Sequence, residues 1–228
     1  MRSKSFPWLG LALLLSGLGV SSGQQPPNSL ATQHSEKWES EIGAFEASDH
    51  TNPPPKDCIV FVGSSSIRMW SGLKSDFPGL PVVNRGFGGS ELADSVHFAN
   101  RIIVPYKPRE VVIYAGGNDL ANGKSPELAF GDFVALFETI HQQLPNARVV
   151  FIATAPNPSR WKLVEKMKRF NSLTQEYCNE HGATFVDVFT VMLGPDGLPQ
   201  PDIYREDGLH MNAKGYAIWK AALGPYVK

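Results

Sequence analysis

The chain has 228 residues, of which 42% are hydrophobic and 19% charged, with a formal net charge of −1. That length and apolar fraction suit one ordinary globular domain with a real core. The near-neutral balance gives no sign of a nucleic-acid surface.

Arg2 and Lys4 precede an apolar run from Trp8 to Val20, which ends in Ser21, Ser22 and Gly23. A basic start, a short apolar centre and small residues after it have the pattern of a secretory signal peptide, expected over residues 1–23 with cleavage after Gly23. A membrane anchor needs roughly 20 apolar residues, more than this run supplies. The expectation is a secreted or periplasmic protein with no stable membrane anchor.

Residues 24–56 read as a Pro- and Ser-bearing lead and a short helix, with Trp38, Ile42 and Phe45 at i, i+4 and i+7 on one packing face. Asn52-Pro53-Pro54-Pro55 stops that helix, and residues 57–228 form the main domain. Its pattern alternates strand and helix. Strands are expected at Ile59–Val62, Val82–Val83, Val111–Tyr114, Arg148–Ala153 and Thr184–Val188, and helices at Leu92–Ile103, Pro126–Gln143, Lys162–Glu180 and Ala213–Leu223. The helix from Pro126 has a plain start signal, because Ser125 can cap it and proline suits the first helical position. Apolar strands alternating with amphipathic helices argue an α/β fold with a parallel sheet covered on both faces. With right-handed crossovers, five such strands most simply give a flavodoxin-like three-layer α/β/α sandwich.

Cys58 opens the first strand and Cys178 lies late in a helix. A single disulfide or two buried thiols are both open readings, and neither spacing suits a zinc site.

Four short segments carry the chemistry: Gly63-Ser64-Ser65-Ser66, Gly86-Phe87-Gly88-Gly89, Gly116-Gly117-Asn118-Asp119 and Asp207-Gly208-Leu209-His210. Three of them directly follow apolar strands, and strand ends are where an α/β sheet binds its ligands. In order they offer a hydroxyl nucleophile, a backbone amide open to close approach, a side-chain amide donor and a carboxylate beside an imidazole. Those are the parts of an acyl-transfer site. Taken singly, each has a plainer reading: the serines as turn and cap residues, the glycines as a phosphate-cradling loop, Asn118 as a turn residue, and Asp207 with Gly208 as a surface bend.

Together, from about Cys58 to Tyr216, the four blocks resemble the SGNH hydrolases, also called GDSL-type esterases and lipases. The resemblance implies that Ser65 is the nucleophile and that His210 and Asp207 complete a triad. It also implies an oxyanion hole built from the backbone N–H groups of Ser65 and Gly89 and the side chain of Asn118. Two departures stand out. Ser64 occupies the place where the family usually has Asp before the nucleophile, and Gly89 is followed by Ser90 and Glu91 where many relatives have Asp after the glycine.

The chemistry expected is serine-dependent hydrolysis of a carboxylic ester through an acyl-enzyme, with no cofactor and no metal. The substrate is a small-molecule or carbohydrate ester, short-chain or acetyl, since no long apolar lid segment separates the blocks. A lysophospholipase-like activity is the second expectation. A non-catalytic flavodoxin-like or glycan-binding protein is the alternative of another class. Trp70, Arg160 and Trp161, in loops at strand ends, are candidates for shaping the substrate pocket. His34, His50, His97, His141 and His181 have no carboxylate at comparable spacing and read as surface or packing residues.

Overall fold

The computed structural model describes residues 35–228, so the expected signal peptide and most of the lead lie outside the described residues. Five strands form one parallel sheet: β1 (Ile59–Gly63), β2 (Val82–Gly86), β3 (Glu110–Tyr114), β4 (Arg148–Ile152) and β5 (Thr184–Val186). Their order across the sheet is β2-β1-β3-β4-β5, the flavodoxin-like arrangement of a three-layer α/β/α sandwich. Every residue of β1 and β3 is buried, as near-continuous apolar strands covered on both faces must be.

The pleat of each strand sends alternate side chains to opposite layers. On one side Phe61 meets Trp70 and Phe77, and Tyr114 packs edge-on against Trp219. That layer is closed by α8 (Ala213–Leu223), whose Tyr216 stacks on Trp70 with ring centroids 5.2 Å apart. On the other side Phe151 packs between Phe133 and Phe170. Those rings come from α6 (Pro126–Gln143) and α7 (Val164–Glu180), with α4 (Leu92–Ile102) beside α6. Full burial of one such aromatic or aliphatic side chain stabilises the fold by about 1.5–3 kcal/mol.

The helix preceding the sheet, α1 (Glu39–Thr51), is held to the domain by the fully buried Ile42 and by ion pairs of Asp49 with Arg85 and of Glu46 with Arg101. Just before it, Trp38 lies against Phe87 and Gly88 of the loop after β2. A Cβ on Gly88, whose φ is +38°, would stand 1.9 Å from the Trp38 ring.

The helix expected from Lys162 starts at Val164, preceded by a 3-10 turn over Pro158–Leu163. Pro158 and the cap that Asn157 places on the Arg160 N–H account for that tighter entry. The short helix that the serines were read as capping is α2 (Ser65–Arg68), while two others of four or five residues, α3 (Leu73–Asp76) and α5 (Gly117–Ala121), were not expected. They are too short for a 3.6-residue period to show. Cys58 and Cys178 are free and buried. No helix among the described residues is long and apolar enough to cross a membrane.

Candidate active site

Parallel register aligns Gly63 with Gly86 on one neighbour and with Tyr114 on the other, so the loops after β1, β2 and β3 leave the sheet at one edge. Gly63 has φ +134°, and a Cβ there would lie 1.9 Å from the Tyr114 carbonyl oxygen. Only glycine fits this sharp exit. The chain turns at once into α2, which places Ser65 at its first position. Ser64, the residue standing where the family usually has Asp, is 6% exposed and precedes the helix without a side-chain capping bond.

The Asp207 to His210 turn arrives from a distant part of the chain. Its backbone is fixed by Arg205 N–H to His210 O at 2.8 Å and by Ser159 N–H to Gly208 O at 3.0 Å. Asp207 Oδ1 accepts the backbone N–H groups of Leu209 and His210, and Oδ2 lies 2.6 Å from His210 Nδ1. His210 Nε2 is 2.9 Å from Ser65 Oγ. The His210 ring, with two backbone N–H groups behind it, holds the Asp207 carboxyl down at about 2, so it is an anion at neutral pH. Asp207 therefore selects the tautomer with the proton on Nδ1, which leaves Nε2 as the acceptor for the serine proton.

The groups expected as oxyanion donors stand close by. The backbone N–H groups of Ser65 and Gly89 have no acceptor among the described residues. Asn118 Nδ2 donates to Ser90 O at 2.9 Å and lies 3.8 Å from the position a Gly89 Cβ would take. Its amide is thus tied across to the β2 loop rather than bonded to its own backbone, and one N–H of the NH2 group remains for a ligand. All five residues expected from the sequence, Ser65, Gly89, Asn118, Asp207 and His210, are brought together at this edge.

The loop carrying Gly89 and Ser90 rests on buried charge. Asp119 accepts from Leu92 N–H and from the Lys124 ammonium, which also reaches Glu91 and Asp132. Three carboxylates share one ammonium. Burial pushes Asp119 up to about 6, while the same carboxylates hold the Lys124 ammonium above its ordinary range. Nothing in the block pattern signalled this support, because Lys124 acts only through the fold.

A pocket beside Ser65 is lined by Tyr114, Asn118, Thr154, Pro156, Arg160, Tyr204, Leu209 and Met211, among others. Asn171 anchors its β4 side by accepting the Thr154 N–H and donating to Thr154 O. Of the three loop residues singled out in the sequence, only Arg160 lines this pocket. Trp70 is 2% exposed and belongs to the aromatic core, and Trp161 packs against the core from the surface. Tyr204 comes from an irregular stretch with no periodic signal and was not foreseen. His50, His97, His141 and His181 are exposed, and His34 lies outside the described residues. Among the described residues, no group of three or more His, Cys, Asp or Glu side chains is placed to hold a metal ion.

A parallel α/β/α sandwich with a serine, an imidazole and a carboxylate in contact at its strand ends defines a class of carboxylic ester hydrolases, and the sequence comparisons agree. The chain belongs to the GDSL-like Lipase/Acylhydrolase family, whose profile matches residues 62–218. It is 28% identical over 215 residues to platelet-activating factor acetylhydrolase IB subunit alpha1 of Pongo abelii, covering 86% of this chain and 87% of that one. Among solved structures, a GDSL-like lipase from Bacteroides thetaiotaomicron superposes with a TM-score of 0.71 at 20% identity, covering 82% of this chain and 97% of the other. A catalytic mutant of an acetylxylan esterase from Geobacillus stearothermophilus does so with a TM-score of 0.62 at 14% identity, covering 75% and 94%.

Proposed function

We propose that the chain is an exported serine esterase acting on short-chain, chiefly acetyl, esters, including those on carbohydrate, through an acyl-enzyme on Ser65. The observation that carries this reading is the continuous contact from Asp207 through His210 to Ser65 Oγ. In the proposed cycle His210 takes the serine proton as Oγ attacks the ester carbonyl. The N–H groups of Ser65 and Gly89 and the Asn118 amide stabilise the oxyanion. His210 then returns the proton to the leaving alcohol, and water, activated by the same imidazole, releases the acid.

The acetyl preference is supported by two of the relatives, one named an acetylhydrolase and one an acetylxylan esterase. Export is supported by the pattern of Arg2, Lys4 and the Trp8 to Val20 run. The intact Asp207, His210 and Ser65 contacts weigh against a non-catalytic binding protein, which would have no use for them.

The test is hydrolysis of p-nitrophenyl esters from acetyl to long acyl chains, with Ser65→Ala alongside. Serine-dependent turnover that falls as the chain lengthens is expected. Turnover that rises with chain length would favour a lysophospholipase-like enzyme, and unchanged activity in Ser65→Ala would remove the nucleophile assignment.

A further inference from the structure

Among the residues lining the pocket beside Ser65, Arg160 is the one arginine. Arg85, Arg101, Arg148 and Arg169 each face a carboxylate. Arg160 is half-buried, and among the described residues no acid pairs with it. One guanidinium nitrogen donates to Gly117 O at 3.0 Å, and its other N–H groups have no protein acceptor. Tyr114 is the titratable neighbour, and burial disfavours the charge on Arg160 with no acid to offset it. Carrying such a cation into a partly desolvated pocket is unfavourable unless something completes it.

The pocket that Arg160 lines also contains Ser65 and Asn118. Its side chain is not loose, because Asn157 caps the Arg160 N–H at 2.9 Å and Gly117 O fixes the head. A guanidinium held in this way presents a planar fork, the geometry that recognises a carboxylate.

We propose that Arg160 is a specificity-determining residue that selects esters carrying a carboxylate close to the scissile bond. This rests on the esterase reading given above. The carboxylate could belong to the acyl group, as in a dicarboxylic half-ester, or to the alcohol, as in an acetylated uronic acid. The shared chemistry is a substrate carboxylate bound by the Arg160 fork while Ser65 attacks the neighbouring carbonyl.

Two matched pairs separate the sources: monoethyl succinate against ethyl pentanoate, and acetylated galacturonic acid against acetylated galactose. The wild-type protein should show the higher kcat/KM for the charged member of at least one pair. Arg160→Gln should lower that charged-to-neutral ratio about tenfold or more, and Arg160→Lys should keep part of it. Equal kcat/KM within both pairs in the wild type would overturn the proposal. So would an Arg160→Gln variant that loses charged and neutral substrates alike, the result expected if Arg160 only positions Gly117. Neutral esters cleaved in a Ser65-dependent way without charge preference would sink this inference and leave the esterase reading standing. No Ser65-dependent turnover of any probe would sink both. Should Arg160→Gln fail to fold, wild-type turnover of acetylated galactose can be inhibited with galacturonate and with galactose. Stronger inhibition by galacturonate supports the assignment, and equal inhibition together with equal wild-type kcat/KM for monoethyl succinate and ethyl pentanoate overturns it.

Discussion

Asn118 Nδ2 is held by the Ser90 carbonyl at 2.9 Å, so the loop after β3 is pinned to the loop after β2 at the point where both would supply oxyanion donors in the proposed cycle. The bond fixes the direction of the remaining N–H without consuming it. Asn118→Ala should therefore lower kcat on the order of 10²-fold with little change in KM. Asn118→Asp should be worse, since it places a negative charge where the oxyanion forms. Steady-state kinetics on p-nitrophenyl acetate distinguish these from a loss of stability, which thermal unfolding would register.

Asp207 orients His210 through a 2.6 Å contact while its own side chain is 47% exposed. Asp207→Asn should reduce kcat on the order of 10³- to 10⁴-fold, because an amide no longer enforces the tautomer with the proton on Nδ1. Unfolding should be little affected, since the carboxylate is open to solvent. A drop in kcat smaller than about tenfold would show that His210 keeps its orientation without the charge.

At Gly63 the limits are steric. A methyl group would meet the Tyr114 carbonyl at 1.9 Å in a backbone conformation that L residues rarely adopt. Gly63→Ala should destabilise the domain by about 3 kcal/mol or more and disturb the exit that aims Ser65. Chemical denaturation measures the first effect, and kcat in the folded fraction measures the second.

The pH dependence of stability carries the signature of Asp119, raised to about 6 by burial. Between the ordinary carboxylate value and about 6, the folded state binds more protons at this site than the unfolded state does. The contribution is full below the unfolded value and is lost as pH rises through the folded one. Relative to Asp119→Asn, the wild-type protein should therefore lose stability from pH 4 to pH 6. Thermal midpoints of both proteins across that range check the sign, and a difference that stays flat would refute it.

The sheet and its main helices were legible because burial on both faces demands uninterrupted apolar strands, and Ile59–Val62 and Val111–Tyr114 meet that demand in the sequence itself. The site residues were legible for a different reason, since nucleophile, imidazole and carboxylate must be particular side chains at strand ends. What holds them was not. Ser90 contributes a carbonyl that any residue could supply, and Lys124 works through contacts that exist only after folding. Arg160 was named from its loop position, but its want of an acidic partner appears only once its neighbours are in place.

The Trp38 ring occupies the space beside Gly88 that any larger residue would claim, one position from the amide of Gly89. The proposed site thus has a longer footprint along the chain than the four blocks that would perform the chemistry. A tryptophan upstream of the first strand wedges the oxyanion loop from behind. A protein begun at Pro53 would keep every residue of the four blocks and the whole sheet, yet would lose both the wedge behind that loop and the helix whose Ile42, Glu46 and Asp49 close one side of the domain.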